Sequence, residues 1–147
     1  MTTYVLVHGA WHGGWCWKKT APLLRAAGAE VFAPTLTGMG ERAHLNNHLN
    51  PSDITLDVHI QDIVQMMAYE GLEDVVLVGH AYAGMVITGV AEVCSERISH
   101  MVYVNGVTPS DGESMVDQLI PVRGPEFTAW VQGLIDNGDG FLPAPTS

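Results

Sequence analysis

Positive charge is the scarcest commodity in this sequence. Six lysines and arginines stand against sixteen aspartates and glutamates, a formal charge of -10 over 147 residues. Such a surface repels phosphate backbones and anionic lipid, which excludes nucleic acid and the membrane surface as expected partners. Cysteine is nearly absent too. Cys16 and Cys94 lie far apart and in no metal-ligand spacing, so neither a disulfide framework nor a zinc module is implied. No apolar run approaches the length that spans a bilayer. The opening MTTYVLVHGA enters a strand-like run without a basic leader, and the expected compartment is the cytoplasm, with reduced thiols. Neither a G-x-G-x-x-G fingerprint nor a P-loop is present, and no cofactor is expected.

What is there suffices for one domain, since 47% of the residues are hydrophobic. Four short apolar runs recur, at Tyr4 to Val7, Val31 to Ala33, Val75 to Val78 and Met101 to Val104. Each is continuous rather than alternating, the pattern of a parallel strand covered on both faces. Between the second and third runs, Leu56, Ile60, Ile63, Val64 and Met67 form one face of an amphipathic helix. Asp57, Gln61, Asp62 and Gln65 fall elsewhere, and Thr55 is placed to cap the N-terminus. Thr20 to Ala27 reads as a helix with Pro22 in its first turn and Gly28 to end it. A third helix runs through Met85, Val86, Val90 and Val93. Strand and helix therefore alternate, which predicts an α/β fold: a mostly parallel sheet with helices on both faces. After Asn105 turn residues accumulate, and only Glu113 to Leu119 and Glu126 to Ile135 have helical character. Four strands with such a trailing segment read as the N-terminal part of a larger sheet.

Ligands bind parallel sheets beyond the carboxyl ends of the strands. Two loops there carry the signal: His8-Gly9-Ala10-Trp11-His12-Gly13-Gly14-Trp15 after the first strand, and Gly79-His80-Ala81-Tyr82-Ala83-Gly84 after the third. The second has the form of a nucleophile elbow, G-x-S-x-G, a strand-to-helix turn so sharp that small residues must surround its apex. Gly79 fills the first glycine position and Ala83 replaces the second. The apex is Ala81, so the turn is complete except for the nucleophilic oxygen.

Together VLVHGAWHGGW, APLLRAAGAEVFAPTLTGMG and VVLVGHAYAGM resemble the α/β-hydrolase superfamily, in the branch of plant methylesterases, hydroxynitrile lyases and small bacterial esterases. The resemblance spans about residues 4 to 112. It implies a serine at the position of Ala81 and an oxyanion hole built from the backbone N–H groups of Ala10 and Tyr82. It implies further an aspartate and a histidine supplied by later strands, and catalytic roles for neither His8 nor His80. The expected core is residues 1–106, with 107–147 beginning a cap. The expected substrate is a small hydrophobic ester, bound beside Gly9 and Trp11, and a homodimer is an open alternative to a monomer.

Three explanations of Ala81 compete: an introduced substitution, a natural ligand-binding relative without turnover, and a chemistry that needs no serine. The otherwise intact elbow favours the first. A lyase of this branch carries a threonine near the first-loop histidine, whereas Gly9 and Ala10 offer no hydroxyl. The remaining signals read as structural. Trp15 and Trp17 are expected to pack, Gly38 and Gly40 to serve turns, Cys94 to be buried and Asp111 to lie in a turn. His44 and His48 are four residues apart without the acidic partner of H-E-x-x-H, in a segment read as a loop rather than a zinc helix.

Overall fold

In the computed structural model, which describes residues 1–110 together with Glu126 and Ala129, the four apolar runs pair into a single parallel sheet. Strands β1 (Thr3–Val7), β2 (Glu30–Phe32), β3 (Val75–His80) and β4 (Ile98–Val104) lie in the order β2-β1-β3-β4. Val5 is in register with Phe32 on one side and Leu77 on the other. Consecutive β1 residues face opposite layers, as the two-residue period of a strand requires. Val5 and Val7 belong to the larger core with Val75 and Leu77, while Leu6 belongs to a smaller one with Val78.

The helices divide accordingly. Helix α1 (Ala21–Ala26) supplies Ala21 and Leu24 to the small core. Helices α2 (Leu56–Tyr69) and α3 (Ala83–Cys94) supply the large one with Ile60, Ile63, Met67, Val86, Ile87 and Val90. Thr55 caps α2 as expected, its side chain accepting from the Val58 N–H at 3.3 Å. Pro22 lies in the first turn of α1, and Gly28 follows its end at φ +94°, a left-handed conformation open to glycine. Where α2 crosses α3, a Cβ on Gly89 would run into the Ile60 side chain, so the glycine sets how closely the two helices approach. Cys94 is buried, its thiol donating to the Val90 carbonyl at 3.4 Å.

Two expectations need correction. Strand β4 is not covered on both faces, because Val102 and Val104 each remain about two-fifths exposed (41% and 42%). The segment holding His44 and His48 is not a loop but largely a 3-10 helix, Gly40–Asn47, capped by His48. Glu126 and Ala129 are helical. The rest of Glu126 to Ile135, the helix read at Glu113 to Leu119, and Asp111 lie outside the described residues. No helix among the described residues is long and apolar enough to cross a membrane.

The strand order locates the site. From β1 the chain passes to β2 on one side, then returns past β1 to β3 on the other. The crevice at the carboxyl ends of β1 and β3 is thus a topological switch point. Val7 pairs with Gly79 there, so the loops that follow β1 and β3 emerge side by side.

Candidate active site

The loop after β3 turns at Ala81, whose φ of +53° is one that side-chain-bearing residues rarely adopt. What surrounds it explains the small residues. A Cβ on Gly79 would lie 2.8 Å from the Ala83 carbonyl oxygen and 2.9 Å from the Ile87 Cδ1. One on Gly84 would collide with the backbone of Val107. Ala83 itself is fully buried, so the turn accepts this methyl where the pattern has glycine. The Ala81 carbonyl accepts from the Gly84 N–H at 3.0 Å and the Val107 N–H at 3.1 Å, which ties the apex to both α3 and the segment after β4.

The first loop meets this apex at Gly9. A Cβ on Gly9 would stand 3.1 Å from the Ala81 Cβ, 3.1 Å from the His80 carbonyl oxygen and 3.3 Å from the His80 Nδ1. Ala10 and the exposed Trp11 follow, the latter at φ +64°, an unusual value for so bulky a side chain. Among the described residues, the N–H groups of Ala10 and Tyr82 have no acceptor. These two N–H groups follow Gly9 and the apex Ala81, which carries only a methyl group.

The histidines beside the turns are held by neutral partners or by rings. His8 is fully buried, with Nδ1 2.7 Å from the Gly9 carbonyl and Nε2 3.0 Å from the Leu36 N. The carbonyl can only accept and the amide can only donate, so the ring is a neutral imidazole protonated at Nδ1. Burial pushes its pKa below the ordinary value. His80 is half-buried in a row of rings, with centroids 6.5 Å from His12 and 6.4 Å from Trp17; His12 in turn lies 5.8 Å from Trp15. Trp17 packs on the small core as expected. Trp15 does not pack to the same degree. Its indole lies over Gly13 and Gly40, but half of it (49%) stays exposed.

Two polar clusters were not visible in the sequence. In the first, the Thr35 hydroxyl accepts from the Gly14 N–H at 2.8 Å and donates to the Glu41 carboxylate at 2.8 Å. Hydrogen bonds from its own backbone N–H and from Thr35 lower the Glu41 pKa. This cluster fastens the far end of the first loop to the loop after β2, where Gly38 and Gly40 take φ of +78° and +51° as turn residues. In the second, Asp62 accepts from the Thr37 N–H at 2.6 Å and its hydroxyl at 2.7 Å, while His59 lies between the Thr37 carbonyl and the Tyr82 hydroxyl. The available signal was a histidine on the apolar face of α2, adjacent to Ile60. No group of three or more histidine, cysteine or acidic side chains among the described residues is placed to hold a metal ion.

Residues 4–146 match the model of the alpha/beta hydrolase family. Over 129 residues the chain is 47% identical to a carbendazim hydrolyzing esterase of Nocardioides sp. (strain SG-4G), covering 88% of this chain and 52% of that protein. Over 113 residues it is 35% identical to methylesterase 2 of Arabidopsis thaliana, covering 76% of this chain and 41% of the relative. The chain thus spans about half the length of these curated relatives. Among solved structures, an extracellular alpha/beta-hydrolase from a Paenibacillus species superposes with a TM-score of 0.82 at 28% identity, over 99% of this chain and 56% of that one. That protein is described as sharing structural and functional homology with tobacco salicylic acid binding protein 2.

Proposed function

The chain belongs to the alpha/beta hydrolase family, in its esterase branch, and from that premise we propose that it is the nucleophile-bearing part of a carboxylesterase in a form lacking its nucleophile. The observation that carries this reading is the meeting of Gly9 with Ala81, followed by the N–H groups of Ala10 and Tyr82, which have no acceptor among the described residues. Acyl transfer builds negative charge on a carbonyl oxygen, and two fixed donors in a site shielded from water stabilise it. A serine at position 81 would attack the ester carbonyl, with a histidine outside the described residues taking its proton. The oxyanion would rest on the Ala10 and Tyr82 N–H groups; its collapse would break the ester C–O bond and expel the alcohol, which takes the proton from that histidine. Water, deprotonated by the same histidine, would then attack the acyl-enzyme and release the acid and the free serine.

The backbone of Gly9, which carries no side chain where it meets Ala81, and the exposed indole of Trp11 are the wall against which we place the substrate, a small hydrophobic ester. Both esterase relatives support an ester substrate, and in this reading residues 107–147 would begin a cap over it. The intact turn around Ala81 supports reading the alanine as the loss of a hydroxyl alone. Loss of such a serine costs on the order of a million-fold in kcat.

The test is hydrolysis of p-nitrophenyl acetate by the full-length protein and by its Ala81→Ser form. Turnover with an acyl-enzyme burst in the serine form, against none in the alanine form, supports a serine esterase. Equal inactivity of both rejects it. A second reading is favoured by Ala81 itself: a ligand-binding relative without turnover. It predicts that an aromatic carboxylate such as salicylate binds both forms equally, with no ester cleaved by either.

A further inference from the structure

We propose that His59 is a positioning residue for the elbow, clamping the Tyr82 side chain so that the Tyr82 N–H stays aimed at the apex. The inference rests on the oxyanion role given to that N–H above. It concerns a position that G-x-S-x-G leaves open, so the anchor is a property of this chain rather than of the pattern.

His59 is 4% exposed, yet both of its ring nitrogens are matched. Nε2 lies 3.0 Å from the Thr37 carbonyl oxygen and Nδ1 lies 2.9 Å from the Tyr82 hydroxyl, with ring centroids 5.7 Å apart at 76°. A carbonyl can only accept, so Nε2 carries the proton. In the neutral ring Nδ1 is then an acceptor, and the Tyr82 O–H donates to it. Burial favours that neutral ring and likewise keeps the Tyr82 phenol protonated, its pKa pushed up. Thr37 is fixed in turn by Asp62 through two bonds. The chain Asp62–Thr37–His59–Tyr82 therefore links α2 and the loop after β2 to the elbow through groups each used in one direction.

Such a link has a purpose at this place. Ala81 sits in a left-handed conformation that costs about 1 kcal/mol or more for a side-chain-bearing residue. The peptide joining it to Tyr82 is held on one side by the Ala81 carbonyl, which accepts from Gly84 and Val107. On the other side the fixed point is the Tyr82 side chain. Without the His59 bond the hydroxyl loses its buried acceptor, and that half of the turn can relax away from the strained geometry.

Kinetics of the full-length Ala81→Ser protein with p-nitrophenyl acetate, together with amide hydrogen exchange of the alanine form, test this. Tyr82→Phe and His59→Leu are each expected to lower kcat about tenfold with KM changed less than twofold, the signature of a donor misplaced only for the oxyanion. His59→Gln is expected to restore most of that loss, because one amide can accept from Tyr82 and donate to Thr37. In the alanine form, Tyr82→Phe and His59→Leu should speed exchange of the Gly84 and Val107 amides at least tenfold, with the β1 amides unchanged. Normal kcat in Tyr82→Phe, or unaltered exchange at Gly84 and Val107, overturns the proposal. If the serine form shows no esterase activity, the hydrolase reading fails separately, and the exchange data alone decide whether His59 holds the elbow.

Discussion

At Gly9 the absence of a side chain is what lets two loops share one site. Its ideal Cβ would press on both the Ala81 methyl and the His80 carbonyl at 3.1 Å, closer than most real contacts of that kind. Gly9→Ala should therefore cost about 1–3 kcal/mol by overpacking and depress esterase activity of the Ala81→Ser form at least tenfold. Denaturant titration and steady-state kinetics on one preparation check both. His8 makes the complementary point. The HGAW segment was legible as a loop at the carboxyl end of β1, and the resemblance implied a supporting rather than catalytic His8. In the structure each of its nitrogens is committed to a neutral backbone group. His8→Ala would strand the Leu36 N–H and leave a void, and it should destabilise the protein by about 2–4 kcal/mol in urea unfolding. The role of His59 was not legible. Its spacing puts it on the apolar face of α2, but nothing in the sequence shows that it reaches a tyrosine 23 positions away.

Among elements, legibility followed burial. The strands were visible because buried parallel strands are continuous apolar runs, and α2 because its apolar face repeats every three to four residues. The 3-10 helices Gly14–Trp17, Gly40–Asn47, Pro51–Asp53 and Ser95–Arg97 were not. None contains a buried residue, and a short 3-10 turn imposes no long apolar period. Strand β4 misled for a related reason: its sequence is as apolar as its neighbours, but in the described part of the fold nothing covers Val102 and Val104. The contact of α2 with α3 gives a prediction against simple helix propensity. Alanine is a better helix former than glycine by about 1 kcal/mol, yet Gly89→Ala should destabilise by about 1–2 kcal/mol, because the new Cβ meets Ile60. Ile60→Val should recover part of that cost in the double variant, read as a coupling energy in chemical denaturation.

Over the whole molecule, two histidines and an excess of negative charge pull the pH dependence of stability in opposite directions. His8 and His59 are buried, and burial lowers both pKa values from the ordinary 6.5. The unfolded chain takes up protons at these rings more readily than the folded one. Their contribution is thus complete above about pH 6.5 and is lost as pH falls from there toward the lowered folded values. Each ring can contribute a slope of up to about 1.4 kcal/mol per pH unit in that window. The formal charge of -10 acts the other way, since protonating carboxylates relieves repulsion in the folded state. Salt separates the two, because it screens exposed charge far better than it screens buried groups. In 0.5 M NaCl, stability of the full-length protein should fall as pH drops from 7 to 5. Replacing His59 with glutamine, which removes one titrating ring without changing charge at neutral pH, should flatten that slope by up to half. A slope unchanged by His59→Gln would place the acid sensitivity at His8, and would remove the buried neutral His59 from the account of this fold.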